Sequence, residues 1–398
     1  MSMPSAPAAP IPSPPRLESV DLLRGLVMIM MALDHTRDYF HTSAIQGIDP
    51  TDLAHTSPWI FLTRWVTHFC APIFCFLAGT GVFLAARTKP KRELSRFLLT
   101  RGLWLVLLEV TFFTWAWTFH FDLHHLAGRV IWMLGWSMIA LAALIHLPLR
   151  AVAGIGLMMI LLHNTGDGIK PEDCGRWAWL WQVLHVRGTA NLGGDFTLRV
   201  AYPLIPWIGV MATGYAFGTL FTLESGLRQR WLRWLGGGMI VFFALLRWSN
   251  LYGNLLPWTP QTQTGFTLLS MLDCTKYPPS LCYLLMTLGP AMLFLAWADG
   301  GTPRLLRPLL AFGRVPMFYY LLHIPLIHAL SVLMNRVRFG GGDFNAFASS
   351  GKPPPDAGVG LIWVYAVWLG VVIGLYPFCQ WFADLKRRRR DLTWLSYF

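Results

Sequence analysis

The side chains best suited to chemistry sit together in one apolar stretch, RLESVDLLRGLVMIMMALDHTRDYFH, residues 16–41. A charged group at the centre of a membrane helix costs about 2.5–3.5 kcal/mol, so such groups need partners or a task. Arg24 and His35 stand about eleven helical steps apart, which brings them within about 20° of the same face and about 16 Å along the axis. Asp21, Arg24, Met28, Met31, His35 and Asp38 follow three- and four-residue steps, and this stripe is predicted to line a cavity. A guanidinium at one end can hold phosphate oxygens through several donors. An imidazole further in can take a proton from an attacking hydroxyl or amine. The pattern suits a long phosphorylated donor, such as a coenzyme A thioester, threaded towards His35. The competing reading pairs Asp21 with Arg24 at the interface and makes His35 a buried hydrogen-bonding histidine.

The rest of the chain must hold this stripe inside a membrane. Of 398 residues, 55% are apolar and only 13% charged, with a mean hydropathy of +0.47. Soluble proteins carry roughly a quarter charged residues, so a water-soluble globule is excluded, as is a disordered chain. The apolar runs approach the ~20 residues that cross ~30 Å of hydrocarbon. Many of the 20 Trp lie at the ends of these runs, as in an aromatic belt. The expected fold is all-α, a polytopic membrane bundle of about ten helices near 20–40, 58–86, 97–119, 129–147, 149–163, 201–223, 231–250, 280–298, 310–334 and 359–383. The fifth is the shortest and most crowded by Pro148 and Arg150.

The net charge of +12 resides largely in short loops between apolar runs. Loops at 87–96, 224–233 and 299–309 and the tail Lys386, Arg387, Arg388, Arg389 and Arg390 are basic, and an even number of spans puts all four, with both termini, in the cytoplasm. Residues 1–15 are Pro/Ala/Ser-rich and read as a disordered cytoplasmic tail, 16–385 as the membrane domain and 386–398 as a basic tail. Cys174 and Cys274 both fall in loops of the opposite face, where an oxidising compartment would permit a disulfide.

Further candidates each carry a plainer alternative. Arg314 can bind a donor phosphate or snorkel to lipid. His323 can complete an acceptor pocket or serve as a satisfied core histidine. Lys276 and Tyr277, ahead of Pro278 and Pro279, can contact the acceptor or anchor a loop. Arg64 and Glu109 are expected to pair with each other. His120, His124 and His125 have a chelating spacing but only Asp122 beside them, so no metal is expected. Gly79, Gly81, Gly214 and Gly218 suit close helix contacts. With no P-loop or dinucleotide fingerprint, nucleotide hydrolysis is unsupported, and nucleic acid is not an expected partner.

The opening RLESVDLLRGLVMIMMALDH resembles the first helix of the membrane acyltransferase superfamily, with an arginine, ten residues and a histidine. Together with HFCAPIFCFLAGTGVFL, YPLIPWIGVMATGYAFG, KYPPSLCYLLMTLGPAML, FGRVPMFYYLLHIPLIH and the closing WFADLKRRRRDLTWLSYF, the whole chain from residue 16 resembles bacterial proteins of the heparan-α-glucosaminide N-acetyltransferase catalytic-domain family. That resemblance implies a helical membrane bundle moving an acetyl group from cytosolic acetyl-CoA to an acceptor across the membrane. In the human lysosomal relative, asparagine stands where the superfamily has its histidine, and the catalytic histidine lies in the loop before the second span. His35 matches the first position and His55 comes nearest the second, so His35 is the expected base and His55 the second candidate. Asp38 is expected to orient the His35 ring.

The resulting expectation is an integral membrane acyltransferase with Arg24 and Arg314 on the coenzyme phosphates, His35 as base, and His323, Lys276 and Tyr277 towards a sugar or polysaccharide acceptor. The resemblance points to a bacterial inner membrane, the partners being acyl-CoA, acceptor and lipid bilayer, with a homodimer left open. Direct attack and an acyl-histidine route both remain open. The alternative function is a transporter or channel using the same buried charges as a substrate or proton path. Against it, the unusual charges concentrate in the first helix and no second half repeats them.

Overall fold

The computed structural model describes residues 17–347, 351–389 and 391–397. The tail expected to be disordered, 1–15, lies outside these residues, as does Arg390 of the basic tail. The protein is a mostly helical membrane bundle. Its principal helices are α1 (Glu18–Phe40), α2 (Pro58–Thr67), α3 (Cys70–Ala86), α4 (Lys91–Leu108), α5 (Val130–Leu144) and α6 (Leu149–Leu162). They continue with α7 (Leu204–Phe217), α8 (Ser225–Ser249), α9 (Leu281–Ala298), α10 (Leu309–Arg314), α11 (Pro316–Phe339) and α12 (Leu361–Arg388).

Seven stretches among the described residues are long and apolar enough to cross a membrane: α2 with α3, α4 with its extension to Thr118, α6, α7, α9, α11 and α12. The other three expected crossings are also helical, at α1, α5 and α8. They fall short for visible reasons. Helix α1 carries its charges inward, α8 opens on SGLRQRWLRW, and α5 has only 15 residues, about 22 Å of helix.

The all-α expectation needs one correction. A small three-stranded sheet forms from β1 (His125–Gly128), β2 (Gly188–Gly193) and β3 (Phe196–Val200), in the order β1-β3-β2. Strand β3 runs parallel to β1 and antiparallel to β2, so the loop after α6 is stitched to the segment between α4 and α5. Alternation in GTANLGGDFTLRV is too short and glycine-rich to announce a strand pair by pattern alone.

Local chemistry explains several helix limits. Ser57 Oγ accepts from the Ile60 amide at 3.4 Å with Pro58 at the first helical position, and Ser280 Oγ accepts from Tyr283 N at 3.1 Å. Helix α1 runs through the interior, touching α2, α3, α9, α10, α11 and α12. Where α1 meets α10, a Cβ on Gly25 would strike the Leu309 carbonyl and one on Gly313 the Asp21 carbonyl. Gly79 and Gly214 do the same for α3 and α7. Small residues let these backbones touch, as membrane packing requires. Cys174 and Cys274 are both free thiols, so the disulfide expected as an option is not formed.

Candidate active site

Helix α1 places the first four members of its stripe on a cavity, whereas His35 and Asp38 do not line it. Asp21, Arg24, Met28 and Met31 all line one cavity of about 750 Å³, with Arg314 and Tyr320 contributed by α10 and α11 and Arg101 and Leu134 by α4 and α5. The end near the start of α1 is basic, since Arg24, Arg87, Arg101, Arg228, Arg314 and Lys386 all border the cavity. Arg228 is committed to Asp299 through both carboxylate oxygens at 2.7–3.1 Å. Arg24 donates Nη2 to the Leu77 carbonyl at 2.9 Å and keeps Nη1 3.7 Å from Asp21. Arg314 buries an Nε with no hydrogen bond among the described residues. Deeper in, the walls turn apolar and the cavity reaches Met31 and Tyr320.

His35 lies one helical turn beyond Met31, just past this end. It is 8% exposed and is surrounded by Trp117, Tyr320 and His323, with ring centroids 4.8, 6.0 and 5.0 Å away. Its Nδ1 is 2.8 Å from His323 Nε2, and His323 Nδ1 is 2.8 Å from the Tyr319 carbonyl. A carbonyl only accepts, so His323 Nδ1 carries the proton and its Nε2 offers a lone pair. With both rings neutral, His35 Nδ1 must then donate, which leaves the lone pair of His35 on Nε2. Two histidines thus set one tautomer. Tyr320, whose hydroxyl is buried without a hydrogen bond among the described residues, stands between the cavity and this ring.

The other expected residues divide. Asp38 bonds Arg37 Nη2, and His323 holds the His35 ring in its place, so the orienting role assigned to Asp38 is corrected. His323 therefore bonds the His35 ring directly. His55 is exposed in the loop before α2, its Nδ1 2.7 Å from Asp52, and is not among the rings around His35. Lys276 is buried, with Nζ 5.2 Å from the Tyr277 ring, and its charge bears on both Asp34 and His35. Tyr277 donates to Tyr202 Oη at 3.3 Å. Burial pushes the Tyr277 phenol up, but the Lys276 and Arg64 charges and the Tyr202 hydroxyl hold it below its ordinary range.

Sequence reasoning missed a buried network beside His35. Asp34 accepts from Arg64 Nη1 at 2.7 and 2.6 Å and from Thr67 Oγ1 at 2.9 Å, with Arg37 Nη2 at 3.1 Å. The expected Arg64–Glu109 pair is therefore not made, and Glu109 faces Arg129 at 3.5 Å instead. Nε and Nη1 of Arg37 are buried with no hydrogen bond among the described residues. The signal was present in Asp34, Arg37 and Asp38 clustering around His35, but one stripe cannot show what lies across from the other side of a helix. His120, His124 and His125 remain a surface group, with His125 on Asp122 at 2.7 Å.

Among curated proteins none matches the chain. Residues 16–247 match the family described as heparan-alpha-glucosaminide N-acetyltransferase, catalytic, a stretch that carries α1 and His35 and ends before Arg314 and His323. That match covers more than half of the chain, and with its apolar helices the protein is a multi-pass membrane protein belonging to the heparan-alpha-glucosaminide N-acetyltransferase catalytic family.

Proposed function

We propose that the protein moves an acetyl or other short acyl group from acyl-CoA, bound in the basic-mouthed cavity, to a hydroxyl or amine of a sugar-type acceptor arriving from the opposite end. The observation that carries this is the hydrogen-bond chain Tyr319 carbonyl–His323–His35, which leaves His35 Nε2 as an acceptor of protons one helical turn beyond Met31, behind the Tyr320 that closes the inner end of the cavity. Arg24 and Arg314 bind coenzyme phosphates, and the apolar walls between them and Tyr320 accommodate the thin arm of the donor.

In the reaction, the acceptor nucleophile loses its proton to His35 Nε2 as it attacks the thioester carbonyl. The tetrahedral oxyanion collapses, the C–S bond breaks, and the proton on His35 passes to the departing thiolate. Tyr320 can swing its hydroxyl towards the developing oxyanion, where a donor contributes most. On the acceptor side, Arg37, Arg64 and Lys276 gather around Asp34, offering donors for sugar oxygens while the carboxylate offsets their charge. The bacterial inner membrane fits the orientation in which the basic loops face the cytoplasm.

The test is acyl transfer from labelled acetyl-CoA to amino sugars by detergent-purified protein. His35→Ala is expected to lose about 10²–10⁴-fold in kcat while still binding coenzyme. His55→Ala is expected to behave as wild type. Undiminished turnover in His35→Ala would remove the base assignment, and a loss confined to His55→Ala would transfer it.

A further inference from the structure

At the far end of α6 from the arginine-lined mouth, a second group of side chains converges that the transfer reaction does not use. His163 ends the helix, Asp167 lies one turn on, and His185 closes the short helix Ala178–Leu184. One ligand-capable atom from each falls within 4.8 Å of the others. We propose that His163, Asp167 and His185 form a binding site for a divalent transition-metal ion, zinc being the best match, which pins the loop after α6 to the bundle.

Three observations support a site over a chance cluster. The first is His163 itself. It is 6% exposed, and both ring nitrogens are buried without a hydrogen bond of good geometry among the described residues, although the Pro279 carbonyl lies beside the ring. Leaving a buried polar group unsatisfied is costly, and ligation removes that cost. His328 shows the contrast: equally buried, it has Nδ1 on the Ala116 carbonyl at 3.1 Å and Nε2 on Asp343 at 2.8 Å, and needs nothing more.

The second observation is the arrangement around the ligands. Asn164 Nδ2 donates to Asp167 Oδ2 at 2.8 Å, fixing the carboxylate with Oδ1 3.8 Å from His185 Nε2. Trp181 stacks on the His185 ring at 4.7 Å. Such outer contacts orient ligands in metal sites. The third is space. A Cβ at Gly166 would come to 3.1 Å from His185 Nε2 and 3.2 Å from Trp181, so the glycine keeps the approach open.

The ligand chemistry selects the ion. Two imidazoles and one carboxylate suit zinc and its first-row neighbours, whereas calcium and magnesium prefer all-oxygen sites. His185 Nε2 now donates to the His163 carbonyl at 2.6 Å. On binding, the ring shifts its proton to Nδ1, Nε2 turns its lone pair to the ion, and water fills the remaining position. The bond would tie α6 to the loop bearing β2 and β3. Asn164 Oδ1, which accepts from Leu281 N at 3.0 Å, extends the tie to the start of α9.

The experiment strips detergent-purified full-length protein with chelator, re-equilibrates it with zinc chloride against a chromophoric competitor, and measures bound zinc by mass spectrometry and melting temperature by intrinsic fluorescence. Wild type is expected to hold about one zinc per chain and to melt several degrees higher with it. His163→Ala and His185→Ala should lose both, and Asp167→Asn, a milder change, should bind at least about tenfold more weakly. His125→Ala, in the exposed histidine group, should keep both. No stoichiometric zinc in wild type overturns the proposal, as does undiminished binding in Asp167→Asn and whichever histidine variants fold. Loss of zinc in His125→Ala alone assigns the binding to the surface group and overturns it equally.

Discussion

At the scale of single residues, the proposed function gives His35 the proton transfer and His323 the ring orientation. His35 carries the lone pair, and His323 only decides which nitrogen holds it. His323→Ala is therefore expected to lower kcat about 10–100-fold, the usual effect of losing an orienting partner, with KM for acyl-CoA unchanged. A histidine acting in donor binding would raise that KM instead, and steady-state kinetics separate the two. Tyr320→Phe removes one hydroxyl from the end of the cavity and keeps the ring that packs near Phe113, 4.8 Å away. Its expected cost is about 10²-fold in kcat, the scale of one oxyanion donor, with the melting temperature unaltered. Much of this site was legible beforehand. The stripe from Asp21 to Met31 followed from helical periodicity, and all four of its inner members line the cavity. The role of His323 was not legible, because 288 positions separate it from His35 and no local pattern encodes that contact. Asp38 was the natural choice from spacing alone; Arg37, its neighbour in sequence, claims it instead.

At the scale of elements, the crossing of α1 and α10 fixes how far Arg24 stands from Arg314. Because each glycine faces the carbonyl of the other helix, Gly313→Ala forces backbone apart where no flexible side chain can yield. Overpacking of this kind costs typically about 1–3 kcal/mol, and here it also widens the basic mouth. A lower melting temperature together with weaker acyl-CoA binding is expected, read by thermal shift with and without coenzyme. The loop after α8 shows a different kind of control. Arg247, 2% exposed, donates to the carbonyls of Leu256, Ser270, Met271 and Asp273 at 2.7–3.0 Å, which ties the loop to the last turn of the short helix Thr264–Leu272. Burial, with Asp49 nearby, raises the Asp273 carboxyl to about 6 against the opposing pull of Arg247. The folded protein therefore holds this proton at pH values where the unfolded chain has released it, and stability falls as pH rises from about 4 to 6. Asp273→Asn should remove that loss and stabilise the protein above pH 6 by at most about 2–3 kcal/mol. Melting temperatures of both forms from pH 4.5 to 7.5 provide the check. Helix positions of this kind could be read from apolar runs, whereas the sheet in the loop after α6 joins residues 125–128 to 197–200 and depends on a contact no short window contains.

At the scale of the whole molecule, the charge distribution gives the bundle two unlike ends. One end gathers Arg24, Arg87, Arg101, Arg314 and Lys386 around an opening, and the cavity narrows inward between apolar walls towards Tyr320. Beyond His35, cations reappear, but there Asp34 is bonded to Arg64 and lies 3.1 Å from Arg37, so their charge is partly offset within a buried polar network. Under the proposed function, the first end would draw a polyanionic donor and the second would admit a polar acceptor. Both ends depend on helices outside the matched family region as well as within it, since α10 and α11 supply Arg314, Tyr320 and His323. The mouth is open to water, where the Debye length falls from about 10 Å at 0.1 M salt to about 3 Å at 1 M. Raising salt over that range is therefore expected to increase KM for acetyl-CoA severalfold while kcat stays level, because His35 and Asp34 are buried beyond its reach. Arg314→Ala should raise KM at low salt about tenfold and flatten the salt dependence, as loss of one phosphate contact would. Acetyl-dephospho-CoA, which has one phosphate fewer, should show the same flattening with the unaltered protein. A KM for acetyl-CoA indifferent to salt, to Arg314 and to the missing phosphate would mean that the donor does not enter through the basic mouth.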